Sequence, residues 1–139
     1  MRDTHGANTN HDLTRVLIAD GDRRVRQALR TLVETDETLL IVGEATNAQQ
    51  LLTLAHSTNP QVIILDLLLP TAQDGLNVIT QLVLDQFYEI IVLTAATGWH
   101  QSAVDCGATE FLDKGLGADL VLTTIRAVVL GARSNHRPE

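Results

Sequence analysis

The chain has little sulfur, little aromatic surface and no long apolar run. Its single cysteine, Cys106, cannot form an internal disulfide. Aromatic residues make up only 3% of the chain, so any core must be aliphatic. No apolar run approaches the ~20 residues that a membrane-crossing helix needs. The opening stretch, Met1–Leu13, is polar and lacks the apolar segment of a signal peptide. Together these absences point to a reducing, cytoplasmic setting. The histidines, His5, His11, His56, His100 and His136, show none of the paired spacing of zinc sites and read as solvated side chains. Excess positive charge is missing too. A formal net charge of -7 repels phosphate backbones and anionic lipid surfaces, which excludes direct nucleic-acid binding and membrane association as leading readings.

What is present is enough aliphatic residue for one core. The chain has 139 residues, of which 45% are hydrophobic, near the common size of a single domain. Residues 1–13 mix Gly, Asn, Asp and Thr without periodicity and are expected to form a disordered arm. The domain is expected over 14–132, with 133–139 a tail or the start of a linker. Five short apolar runs of strand length follow the arm: Val16–Ala19, Leu39–Val42, Val62–Leu65, Ile90–Leu93 and Phe111–Leu112. Helical patterns separate them. Val25, Ala28, Leu29, Leu32 and Val33 form an i, i+3, i+4, i+7, i+8 stripe, and Val121, Ile125, Val128 and Val129 repeat it at the end of the chain. Thr46 with Gln49 resembles a capping box opening the second helix. Strands apolar at consecutive positions are covered on both faces, as in a parallel sheet flanked by helices. The compact five-stranded solution is a flavodoxin-like α/β three-layer sandwich of order 2-1-3-4-5 with five helices.

Four of the runs end in a polar residue: Asp20, Asp66, Thr94 and Lys114. In an open α/β sheet, ligands bind beyond the carboxyl ends of the strands, and in this order the first and third strands flank the switch point. Asp20 and Asp66 become neighbours. Two carboxylates ~4 Å apart repel by roughly 4 kcal/mol at an effective dielectric near 20, a strain that a hard divalent cation such as Mg²⁺ relieves. A carboxylate can attack phosphorus to give an aspartyl phosphate when charge on the transferred oxygens is neutralised, which Lys114 can do, while the Thr94 hydroxyl can bond a phosphoryl oxygen.

The segments ADGD, IILDLLLP, LTAA and GATEFLDKG, in this order and spacing, resemble the receiver domain of two-component response regulators over roughly Thr14–Gly131. RVRQALRTLVE with IVGEATN further resembles receivers of regulators that carry a C-terminal helix-turn-helix module. The resemblance implies that Asp66 accepts a phosphoryl group from a sensor histidine kinase. It implies that Asp20, Asp66 and the backbone carbonyl of Leu68 hold Mg²⁺, and that Lys114 and Thr94 contact the phosphoryl group. Thr94 and Phe111 would form the switch pair, acting on a face made by the fourth helix, fifth strand and fifth helix, through which a homodimer is plausible. Such a protein is a cytoplasmic phosphoacceptor switch in transcription regulation, not an enzyme beyond self-catalysed transfer and slow autodephosphorylation. Its DNA-binding domain would lie outside this chain.

The sequence also departs from that pattern. Where receivers carry two adjacent acidic residues, this chain has Asp20 followed by Gly21, so Asp22 either takes the vacant ligand place or caps the next helix. The loop Pro70–Gly75 is one residue longer than the turn usual in receivers and the span from Thr94 to Lys114 about two residues shorter, which predicts a stunted fourth helix. Gly21 motivates one rival reading, a receiver-like interaction module that works without phosphorylation. A second rival, a haloacid-dehalogenase-like phosphatase with Asp20 as nucleophile, needs a further acidic pair after the lysine, and apart from the terminal Glu139 only Asp119 follows.

Overall fold

A computed structural model describes residues 13–135. The expected arm falls almost wholly outside them, as do the last residues of the tail. Strands and helices alternate: β1 (Thr14–Ala19), α1 (Arg23–Glu34), β2 (Leu39–Ala45), α2 (Ala48–Thr58), β3 (Val62–Leu65), α3 (Ala72–Asp85), β4 (Glu89–Thr94), α4 (His100–Cys106), β5 (Glu110–Asp113) and α5 (Ala118–Asn135). The last helix runs to Asn135, past the expected domain end at residue 132. The five strands form one parallel sheet in the order β2-β1-β3-β4-β5, so the expected flavodoxin-like architecture is the one observed.

Consecutive apolar residues in each strand feed two separate cores, because successive side chains point to opposite faces. Leu17 and Ala19 of β1, with Ile63 and Leu65 of β3, pack with Leu51, Ile79 and Leu82 from α2 and α3. Val16 and Ile18, with Ile64 and Ile91, pack with Leu29 and Val33 of α1 and Val121 and Ile125 of α5. Both faces of the sheet are thereby covered.

The helix starts fix the loops that carry the polar strand ends. Asp22 caps α1, its side chain accepting from the Arg24 N–H at 2.8 Å. α3 opens with a reciprocal capping box between Thr71 and Asp74, and a Cβ on Gly75 would lie 2.2 Å from the Leu67 carbonyl oxygen. Only glycine lets α3 press this closely on the backbone that follows Asp66. The expected cap at Thr46 is displaced by one residue. Asn47 caps α2 by accepting from the Gln50 N–H at 2.9 Å, and Gln50, not Gln49, returns a side-chain oxygen to the Thr46 N–H and hydroxyl. Asn is as good a cap as Thr, and this start turns Leu51 and Ala55 into the core. The fourth helix is short as expected: α4 has 7 residues, lacks a side-chain cap at Trp99 and stops at Gly107, where φ is 123°.

Candidate functional site

The sheet register brings the four polar strand ends together. The Asp66 N–H bonds the Ala19 carbonyl, which sets the residue after β3 beside the end of β1, and the Lys114 N–H bonds the Thr94 carbonyl, which sets β5 beside β4. Asp20 and Asp66 are 2% and 5% exposed, and Thr94 is fully buried. Charged side chains are almost never this buried unless they are paired.

The pairing is supplied by one ammonium. Lys114 Nζ donates to Asp20 Oδ2 at 2.8 Å and to Asp66 Oδ2 at 2.9 Å. The Thr94 hydroxyl donates to Asp66 Oδ1 at 2.6 Å, and that oxygen also accepts from the Leu68 N–H at 3.2 Å. The Asp22 N–H donates to Asp20 Oδ1 at 2.8 Å. Burial by itself pushes the Lys114 amine down, but hydrogen bonds to Asp20 and Asp66 and their negative charges outweigh it and hold the amine above its ordinary value. Two carboxylates facing one ammonium leave the pocket one negative charge in excess.

That excess bears on Mg²⁺. Mg²⁺ binds through one or two carboxylates and keeps several waters, so buried Asp20 and Asp66 meet its minimum, and no hydrogen bond among the described residues uses the Leu68 carbonyl. The donor set fits the ion, but as a small set: among the described residues no group of three or more His, Cys, Asp or Glu side chains is placed to hold a metal. Asp22 is engaged in capping α1, and Gly21 contributes no side chain.

Phe111 lies apart from these four groups, half-buried on β5 and packed against the core beneath α3 and α4. The His100 ring stacks on it, with centroids 5.0 Å apart and planes 4° from parallel. The expectation for His100 is a solvated side chain. It is exposed, but one face covers Phe111, a contact between residues in different elements that no periodicity signals.

The family model for the response regulator receiver domain matches residues 16–126. The chain belongs to the response-regulator receiver family. It is 31% identical over 121 residues to the transcriptional regulatory protein YdfI of Bacillus subtilis, and 34% identical over 129 residues to the KDP operon transcriptional regulatory protein KdpE of Escherichia coli. These alignments cover 86% and 91% of this chain but 56% of each relative, so the chain spans little more than half of their length. The fold matches that of a LuxR-family two-component response regulator from Aurantimonas sp. SI85-9A1, with a TM-score of 0.79, 24% identity and 86% of both chains covered. This receiver is therefore a module of phosphorelay signalling, of the kind found in transcriptional regulators. No helix among its described residues is long and apolar enough to cross a membrane.

Proposed function

We propose that Asp66 is the phosphoacceptor of this receiver, modified by a sensor histidine kinase. The observation that carries the reading is the meeting of Asp20, Asp66, Thr94 and Lys114 in one buried cluster around the Asp66 carboxylate. In the transfer, an Asp66 oxygen forms a bond to phosphorus as the bond from phosphorus to the donor's imidazole nitrogen breaks, and that nitrogen is left to take a proton. Lys114 moves from bridging two carboxylates to neutralising the phosphoryl oxygens, with Asp20 keeping it near. The Thr94 hydroxyl, released from Asp66 Oδ1, turns to a phosphoryl oxygen. Asp20, Asp66 and the Leu68 carbonyl would hold Mg²⁺, which when bound would neutralise charge on the phosphoryl and carboxylate oxygens. Asp22 serves as a helix cap and not as a ligand. Water attack on the acyl phosphate returns free Asp66 and inorganic phosphate, a slow self-catalysed reset.

Movement of Thr94 is felt at Phe111 because β4 and β5 are adjacent, with Val92 paired to Phe111 and Thr94 to Asp113. The readout face is α4, β5 and α5, a surface for homodimer formation, and the DNA-binding output belongs to a domain outside this chain. The setting is the cytoplasm. The small acidic set around Gly21 favours one second reading, an interaction module that signals without phosphorylation. Intact-mass measurement after incubation with acetyl phosphate and Mg²⁺ separates the two. One added phosphoryl group, absent in Asp66→Asn, supports the switch, and an unchanged mass supports the module.

A further inference from the structure

Asp20 depends on a contact from outside the pocket. Its backbone carbonyl, at the end of β1, accepts from Arg26 Nη1 at 2.8 Å, one turn into α1. The same guanidinium pairs through Nε with Glu44 Oε1 on β2 at 3.3 Å. The other oxygen of Glu44 is held by Arg30 Nε at 2.6 Å. Arg26 is largely covered, with 14% of its side chain exposed, and Glu44 lies in register with Ile18, two residues before Asp20. A fixed guanidinium thus reaches from α1 and β2 to the peptide between Asp20 and Gly21.

That peptide is where the site is least constrained by the residues themselves. Gly21 has no side chain to pack, and a Cβ there would meet nothing closer than the Thr46 carbonyl at 3.7 Å. The Asp20 carbonyl carbon is bonded directly to the Cα that aims the carboxylate, so a shift of this backbone is felt at Asp20 Oδ1, where the Asp22 N–H donates, and at Oδ2, where Lys114 donates. We propose that Arg26, clamped by Glu44, is a positioning residue that holds the Asp20 carboxylate in the pocket for the cation and for Lys114. The guanidinium suits this task because its planar fork bonds a carbonyl and a carboxylate at once.

This rests on the reading of Asp20 as a metal ligand, so the test has one readout that uses metal and one that does not. Lys114 is the only lysine in the chain, and ¹⁵N-lysine labelling therefore gives a single side-chain ammonium signal that reports the Asp20 contact without metal. Mn²⁺ affinity, followed by the electron paramagnetic resonance of the free ion, reports the ligand. Arg26→Gln is expected to weaken Mn²⁺ binding about tenfold, at the low end for loss of an outer-shell partner, and to shift or broaden the Lys114 signal. Glu44→Gln changes both in the same direction by less, and the exposed control Arg23→Gln changes neither. If Arg26→Gln lowers the urea midpoint while Mn²⁺ affinity and the Lys114 signal stay as in the parent, Arg26 only braces α1 and the proposal is overturned. If Arg26→Gln does not fold, Glu44→Gln decides by the same two readouts. A parent chain that binds no Mn²⁺, with a Lys114 signal still disturbed in the variants, removes the metal reading and leaves the positioning role standing.

Discussion

The two ends of the parallel sheet treat buried charge in opposite ways. At the amino end, Glu89 is 5% exposed yet meets no cation among the described residues: its carboxylate accepts from the Thr109 hydroxyl at 3.0 Å, and Thr109 in turn accepts from the Ile90 N–H. Arg15 at the same end binds the Thr58 and Asn59 carbonyls. Among the described residues, each charge there meets only neutral hydroxyl and carbonyl groups. At the carboxyl end, two acids share one amine, and the Thr94 hydroxyl with the Asp22 and Leu68 N–H groups completes their contacts. Buried charge held by neutral groups alone closes a fold, whereas buried charge that draws in a countercharge and stays one short of neutrality prepares a site.

Removing the amine should break the comparison most strongly. Lys114→Met leaves Asp20 and Asp66 facing each other without a countercharge. We expect a loss of about 2 kcal/mol in urea unfolding without divalent ions, below the usual cost of orphaning a buried charge because Lys114 is partly exposed. Adding Mg²⁺ should recover part of it. An equal loss with and without Mg²⁺ would mean that the two carboxylates do not act as a cation site.

A smaller effect follows from pH. The Lys114 amine is held above its ordinary value in the folded state. Its contribution to stability is therefore complete below the ordinary lysine range and is lost as pH rises through the raised folded value. Stability should fall in strongly alkaline solution more steeply for the parent than for Lys114→Met, and ¹³C chemical shifts of the single lysine give the titration directly. Overlapping alkaline limbs for the two proteins would contradict this assignment of the shift.

The smallest change is expected at the other pole. Glu89→Gln keeps an oxygen for the Thr109 hydroxyl, so unfolding free energy should move by no more than about 1 kcal/mol, and acetyl phosphate labelling should be unaltered. A large loss of labelling would show the two ends to be coupled, and the contrast between them would fail.

The legible part of this molecule was the part written in local patterns. Val62–Leu65 reads as a buried strand from four apolar residues alone, and the α1 stripe from Val25 to Val33 needs no neighbour to be seen. Strand-terminal Asp20, Asp66, Thr94 and Lys114 could be placed in one cavity because parallel topology carries every strand end to the same edge. β2 runs three residues beyond its apolar stretch because Gly43, Glu44 and Ala45 pair with β1, which no local signal announces. The cap of α2 slipped by one residue because Thr46 and Asn47 are both good caps and only packing of Leu51 chooses between them. Least legible were contacts set by rotamers across long separations: Lys114 on both acids, Arg26 between Glu44 and the Asp20 carbonyl, and His100 on Phe111.

All other side-chain positive charge in this protein at neutral pH is carried by arginine, whose guanidinium stays protonated under any ordinary condition and does not act as a nucleophile. The arginines thus offer charge that acylation does not remove. The one side-chain amine, the only strong cation here that acylation could neutralise, is kept between two carboxylates where it is needed, and any modifying agent must compete with both of them to reach it.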